Sequence, residues 1–249
     1  MASGFSIKAG NFLYKYCFPL YNIVYPAFKR RQDKFEIELL KKHLKSGDSV
    51  LDIGANIGFY ALILSDLVGK KGKVFCFEPD SKNFKHLQKA TKKNLNIYVN
   101  PLAVSAKTEI IKIYTSKSLN VDHRTYKPDV YDKEIDIRAV SIDDFLPKDT
   151  KVDLIKMDIQ GFEMQALKGM LNTLRLNPKA KMISEFWPYG LKKAGSSCSE
   201  YFMNLKDLGY TIQILKENSL QKLTLEEVKK LEPLGEEHYF NIFVFKENV

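Results

Sequence analysis

An apolar run, Val50-Leu51-Asp52-Ile53, passes into the turn Gly54-Ala55-Asn56-Ile57-Gly58. A helical stretch opens at Phe59-Tyr60, and a second apolar run, Val74-Phe75-Cys76-Phe77, stops on Glu78-Pro79-Asp80. A strand, a glycine-bearing turn, a helix and a second strand ending in an acid form the unit that holds a nucleoside-containing cofactor at the edge of a parallel sheet. Gly54 and Gly58 let the backbone approach such a ligand and let the helix pack on the strand. The acid ahead of the glycines selects the ligand. A dinucleotide sets its pyrophosphate against the turn and the next helix N-terminus, where the charge of Asp52 repels it. S-adenosylmethionine instead presents an ammonium and a sulfonium, which Asp52 attracts. Glu78, 24 residues beyond Gly54, stands where a carboxylate accepts hydrogen bonds from both ribose hydroxyls. The spacing G-x-x-x-G also differs from the G-x-G-x-x-G of dehydrogenases. The expected cradle for S-adenosylmethionine is therefore Asp52, Gly54, Ala55, Asn56, Gly58, Phe59, Glu78 and Pro79.

Downstream the alternation continues. Apolar periodicity predicts a helix over 33–45, strands over 50–53, 73–77 and 97–100, and helices over 59–68 and 81–93. Three strands separated by helices mean a parallel sheet. Two strands over 108–115 and 134–140 flank a polar excursion, 116–133, of a length that is more often functional than idle. A short capped helix follows over 141–146, then a strand over 152–158, a helix over 161–175, a strand over 181–187 and a helix over 197–208. Segments 210–215 and 239–245 close the order as a pair.

At 249 residues the chain has enough length for one sizeable core. We divide it into an N-terminal helical, aromatic extension over 1–46 and a catalytic domain over 47–249. Cys17, Cys76 and Cys198 are odd in number and lack metal-ligand spacing, which points to a reducing cytoplasm. No signal peptide opens the sequence. The aromatic stretch from Phe12 to Phe28 carries Lys15, Pro19 and Pro26, which argues against a membrane span, so a soluble protein is expected. Most of the net charge of +9 is scattered lysine, as on a solvated surface. The extension, followed by Lys29-Arg30-Arg31, is the exception: it could close over the site, pack on a second copy as a homodimer, or rest peripherally on an anionic membrane.

In an open parallel sheet the ligand lies beyond the carboxyl ends of the strands, where Asp52, Glu78, Asp158 and Glu185 end four of them. Asp52 and Glu78 have cofactor roles. Asp158 and Glu185 remain for chemistry on an acceptor: one takes a hydroxyl proton, or the two hold a divalent metal that lowers the hydroxyl's pKa. Asp158 also orients the cofactor's methionine end in one reading. His123, in the excursion, is a second candidate base, and Arg124 beside it suits a phosphate or carboxylate of the acceptor. Asn120, His123, Arg124 and Tyr126, together with Gln160, Trp187 and Tyr189, are the expected acceptor contacts. Glu163, in the first turn of the helix after Asp158, favours that helix's positive end.

These residues together resemble the FkbM family of S-adenosylmethionine-dependent methyltransferases. The likeness rests on Asp52-Ile53-Gly54-Ala55-Asn56-Ile57-Gly58, Phe77-Glu78-Pro79-Asp80, Asn100-Pro101-Leu102-Ala103-Val104, and Ile155-Lys156-Met157-Asp158-Ile159-Gln160-Gly161-Phe162-Glu163 with Leu167-Lys168-Gly169. It departs from the family's usual acid-glycine pair at Gln160-Gly161. The resemblance implies an α/β, Rossmann-like class I methyltransferase fold, with a mostly parallel seven-stranded sheet and a C-terminal antiparallel strand. It adds Leu102 and Ala103 to the cofactor site, and it implies O-methylation of a sugar, glycan unit or related metabolite. The rivals are a nucleic-acid methyltransferase, suggested by the basic charge, and a non-catalytic binding module. Amino-methylating enzymes on nucleic acids place an Asn/Asp-Pro-Pro-aromatic turn where this chain has Asp158-Ile159-Gln160-Gly161, so no nucleic-acid partner is expected.

Overall fold

Helices α1 (Gly4–Tyr16), α2 (Phe18–Gln32) and α3 (Lys34–His43) precede the first strand in a computed structural model that describes residues 4–115, 124–129 and 131–247, with side chains from residue 10 onward. Then come β1 (Ser49–Ile53), α4 (Phe59–Val68), β2 (Lys73–Phe77), α5 (Ser81–Thr91) and β3 (Ile97–Asn100), followed by β4 (Ala103–Val104), β5 (Glu109–Thr115), β6 (Lys133–Val140) and α6 (Ile142–Phe145). The second half runs β7 (Leu154–Met157), α7 (Glu163–Lys168), α8 (Leu171–Leu176), β8 (Lys181–Phe186), α9 (Pro188–Lys193) and α10 (Cys198–Asp207). It ends with β9 (Thr211–Lys216), β10 (Ser219–Lys222), α11 (Leu225–Leu231) and β11 (Phe240–Phe245).

The main sheet has the order β10-β9-β11-β8-β7-β1-β2-β3. Strands β3, β2, β1, β7 and β8 are parallel, and β11 enters antiparallel between β8 and β9. This is the expected α/β fold with its antiparallel C-terminal strand. It differs in having eight strands rather than seven, because Glu217-Asn218 turns the chain back so that β10 pairs antiparallel with β9. The strands β5 and β6 leave this sheet and form a three-stranded one with β4.

Period-two alternation splits the core between the sheet's two faces. Leu51, Ile53, Phe77, Ile155 and Met157 pack on one side, while Val50, Val74, Cys76 and Leu154 pack on the other with Leu39, Leu40 and Leu64 of the flanking helices. The last four residues of β1 are all buried, which is why it reads as a continuous apolar run, and Asp52 is the polar interruption. The carboxylate of Asp80 caps α5 by accepting from the amides of Lys82 and Asn83, at 3.0 and 2.8 Å. The helix expected over 161–175 is broken into α7 and α8. A Cβ on Gly169 would lie 1.9 Å from the Ser105 carbonyl oxygen, and the Gly169 carbonyl accepts the Asp143 amide. Close approach and that hydrogen bond end the helix there.

Candidate active site

The turn after β1 is set by backbone conformation. Gly54 and Gly58 have φ of +85° and +95°, and Asn56, between them, is left-handed at φ +49°. A left-handed asparagine is uncommon, and here its Oδ1 accepts the next amide, that of Ile57, at 2.7 Å. A Cβ on Gly54 would meet the Asp158 carbonyl oxygen at 2.0 Å, so glycine alone lets this turn touch the end of β7. The amides of Gly54 and Ala55 both donate to the Phe77 carbonyl, tying the turn to the end of β2. Gly58 caps α4 in the left-handed conformation, and Phe59 follows it, its ring edge-on to Tyr25 of α2.

Glu78 lies just past β2, 5% exposed, and is held from two sides: Oε2 accepts the Asn56 amide at 2.8 Å and Oε1 the Asp80 amide at 2.9 Å. Each oxygen keeps a lone pair. Burial pushes its pKa up to about 8 against those amides, and burial likewise raises Asp52 to about 7. Asp52 is 2% exposed, and its Oδ2 is buried without a hydrogen-bond partner among the described residues. Pro79 is half-buried, and beyond β3 Leu102 is half-buried and Ala103 buried.

Asp158 and Glu185 end the neighbouring strands β7 and β8. The amide of Gln160 bridges them, its Nε2 3.2 Å from Asp158 Oδ1 and 3.2 Å from Glu185 Oε2. Gln160 is held for this in the left-handed region at φ +57°. An amide donor therefore stands between the two carboxylates where a metal was the alternative, and among the described residues no group of three His, Cys, Asp or Glu side chains could hold one. The two acids differ in setting. Asp158 has 42% of its side chain exposed, whereas Glu185 is buried, and burial, then Asp158 and Glu163, hold its pKa well above the carboxylate range. Glu163 is also fully buried. Its Oε1 accepts the Ile159 amide at 3.0 Å, so it pins the turn after β7 as well as facing the positive end of α7.

Lys156 is the functional-site residue the sequence reading missed. It is 3% exposed in the middle of β7, with Nζ 3.8 Å from Asp158 Oδ2, 3.7 Å from Glu36 Oε1 and 4.8 Å from the Tyr60 ring centroid. Its neighbours raise its pKa against burial, Glu36 most and Asp158 next. Glu36, from α3, accepts from Asn241 at 2.6 Å, and Asp33 accepts from Tyr60 and from Lys29, both at 2.7 Å. A lysine inside an otherwise apolar strand was the available signal.

The acceptor residues expected in the excursion divide. Asn120 and His123 lie outside the described residues. Arg124 forms an isolated antiparallel bridge with Tyr114 at the end of β5, and its guanidinium pairs with Glu236. It also lies 5.2 Å from the Trp187 ring and 5.6 Å from that of Tyr126. Trp187 is 4% exposed and donates its indole N–H to the Glu236 carbonyl at 2.9 Å, with Tyr189 half-buried beside it. The two segments thus meet, and Glu236 joins them. Trp187 is a wall residue there rather than an open aromatic platform.

The extension packs on the turn after β1. Tyr14 and Tyr21 are buried with Ile57, and Tyr14 donates to Asn83 at 2.6 Å in the first turn of α5. Phe18 stacks on His86.

Comparison with known proteins places residues 52–212 under the model of the methyltransferase FkbM domain. A curated relative, the hexuronic acid methyltransferase AglP of Haloferax volcanii, is 28% identical over 147 residues, which are 58% of this chain and 59% of that protein. The match thus spans about three fifths of the relative's length. The fold is similar to that of the methyltransferase FkbM from Methylobacillus flagellatus, with TM-score 0.51 and 18% identity over 80% of this chain and 44% of that one. It is similar as well to SMU.1697c from Streptococcus mutans, solved with SAH, with TM-score 0.51 and 11% identity over 87% of this chain and 98% of that one.

Proposed function

The chain belongs to the FkbM methyltransferase family, and from that premise we propose that it moves a methyl group from S-adenosylmethionine to a hydroxyl of a sugar or glycan unit. The observation that carries the cofactor assignment is the pair of buried acids on β1 and after β2. Glu78 offers one free lone pair on each amide-bound oxygen, as the two ribose hydroxyls require, and the unmet Oδ2 of Asp52 calls for a cationic donor such as the methionine ammonium. The sugar acceptor is supported by the relative that methylates a hexuronic acid.

Bound S-adenosylmethionine supplies an electrophilic methyl on a sulfonium. In the displacement the acceptor oxygen bonds to that carbon, the carbon–sulfur bond breaks, and the hydroxyl proton must leave. Asp158 takes it. Its side chain reaches the surface of the rim, while Lys156 on Oδ2 and Gln160 on Oδ1 fix its direction. Glu185, whose pKa burial and then Asp158 hold well above the carboxylate range and whose oxygens accept from Gln160, is less suited than Asp158 to act as the base. Arg124 and Tyr189 bound the acceptor on the β8 side.

Incubation with labelled S-adenosylmethionine and a panel of hexuronic acids, neutral sugars, sugar nucleotides and glycan extracts tests this by product mass. A sugar gaining one methyl on oxygen is expected, and Asp158→Asn lowers its formation about a hundredfold with cofactor affinity unchanged. Turnover of Asp158→Asn at the wild-type rate would remove the base from this account. Methylation of nucleic acid with none of sugar would overturn the acceptor.

A further inference from the structure

Helix α2 is apolar on two sides, and the described residues cover only one. Tyr21 and Tyr25 turn inward with Tyr14 of α1 onto the cofactor turn. On the other side Phe12 and Tyr16 of α1 and Leu20, Ile23, Val24 and Phe28 of α2 are between 43% and 72% exposed. Spacings of four and of three put each set on one stripe of its helix. A helix apolar all round belongs inside something, and a contiguous exposed patch of this kind marks a surface that meets a partner.

Charge says which partner. The first 32 residues hold Lys8, Lys15, Lys29, Arg30 and Arg31 and no acidic residue. Lys29 turns to Asp33 and Arg30 lies over the Phe59 ring, while Lys15 and Arg31 are exposed beside the apolar stripe. Aromatic and aliphatic side chains flanked by cations, with no anion among them, suit an anionic lipid surface. The apolar groups enter the boundary between headgroups and acyl chains, and the cations meet phosphates. A second copy would instead set the same cations against one another. No helix among the described residues is long and apolar enough to cross a membrane, so the contact is with the surface. We propose that the outer face of α1 and α2 docks this protein on an anionic lipid bilayer. The proposal does not depend on which acceptor is methylated.

Co-sedimentation of the full chain with vesicles of phosphatidylcholine, alone or mixed with phosphatidylglycerol, tests it. Binding to the mixed vesicles alone is expected, and it weakens as salt rises. Lys15→Glu/Arg31→Glu and Ile23→Asp/Phe28→Asp each lower partitioning by about tenfold or more, with unchanged melting temperature and cofactor affinity because these side chains face outward. Lys70→Glu/Lys71→Glu carries the same charge change away from the arm and leaves partitioning close to wild type. The proposal fails if the wild type ignores anionic vesicles, if the Lys70/Lys71 variant loses as much binding as the Lys15/Arg31 one, or if Ile23→Asp/Phe28→Asp binds vesicles normally. It also fails if that apolar variant abolishes a lipid-free dimer seen by sedimentation velocity, which would assign the face to a second copy.

Discussion

On the β1–β2 side of the rim the contacts that shape the site run through backbone, and around Arg124 on the β8 side they run mostly through side chains. Glu78 is fixed by two amides, Gly54 touches a carbonyl, and Asn56 and Gly58 are defined by their φ angles. Across the rim, Arg124, Trp187 and Glu236 hold one another from segments far apart in the chain. The φ angles of the Gly54–Gly58 turn are prescribed within the turn itself, although the fold brings it against β2 and β7. Side-chain contacts are prescribed by the whole fold and can be exchanged singly. A cofactor common to many reactions fits the first construction, and an acceptor that varies fits the second.

Lys156 stands where the two constructions join, and removing it is the most severe way to break the comparison. Lys156→Met leaves Glu36 buried without its cation, which costs about 3–5 kcal/mol of stability by chemical denaturation. Adding Glu36→Gln restores part of it. A loss of under about 1 kcal/mol in the single variant would show that the extension and β7 are not joined through this pair.

On the backbone side, Glu78→Ala is expected to weaken S-adenosylmethionine binding by about 1–3 kcal/mol in calorimetry, with the turn intact. The wild type adds a pH signature. Burial raises Glu78 to about 8 and Asp52 to about 7, and a ligand that prefers both carboxylates ionised must release their protons as it binds. Affinity therefore rises with pH through that range and levels off above it, and the apparent affinity of Glu78→Gln rises only through the lower part. A flat profile would detach these acids from the cofactor. On the side-chain side the effect is the smallest: Arg124→Ala raises the acceptor's KM several-fold, on the order of 1 kcal/mol, and leaves cofactor affinity alone. A matching loss of cofactor affinity would mean that the two sides are not separate.

The legibility of the chain follows the same division. Helix α4 and strands β2 and β3 match their expected bounds because their signals are local: an apolar run, a glycine, a capping acid. The hairpin strand β10 escaped notice since its turn, Glu217-Asn218, lacks glycine and its residues are largely exposed, so no alternation marks them. At the site, Asp52, Glu78, Asp158 and Glu185 could be read from their places at strand ends. Lys156 is marked only as a lysine inside an apolar strand and Glu36 not at all, because what defines both is a contact across 120 residues of sequence. Glu236 is an ordinary surface glutamate until the fold brings Arg124 to it. The left-handed state of Gln160, which lets its amide bridge two carboxylates, has no signature in a side chain that seldom adopts it.

The glycines at the β7 and β8 ends carry a further implication. A Cβ on Gly161 would fall 2.3 Å from the Gly190 backbone, and one on Gly190 would fall 2.1 Å from the Trp187 ring. The turn that bears Asp158 is thus stacked, backbone on backbone, against the helix start that bears the tryptophan. Trp187 is already the largest side chain and can only be shrunk, and shrinking it disturbs the turn of Asp158, the base proposed above, along with the wall, so that stack is a poor place to start in retuning the acceptor site. Arg124, over the Trp187 ring, and Glu236, bonded to its indole, meet that stack from outside, and they can be exchanged without altering its backbone-on-backbone contact.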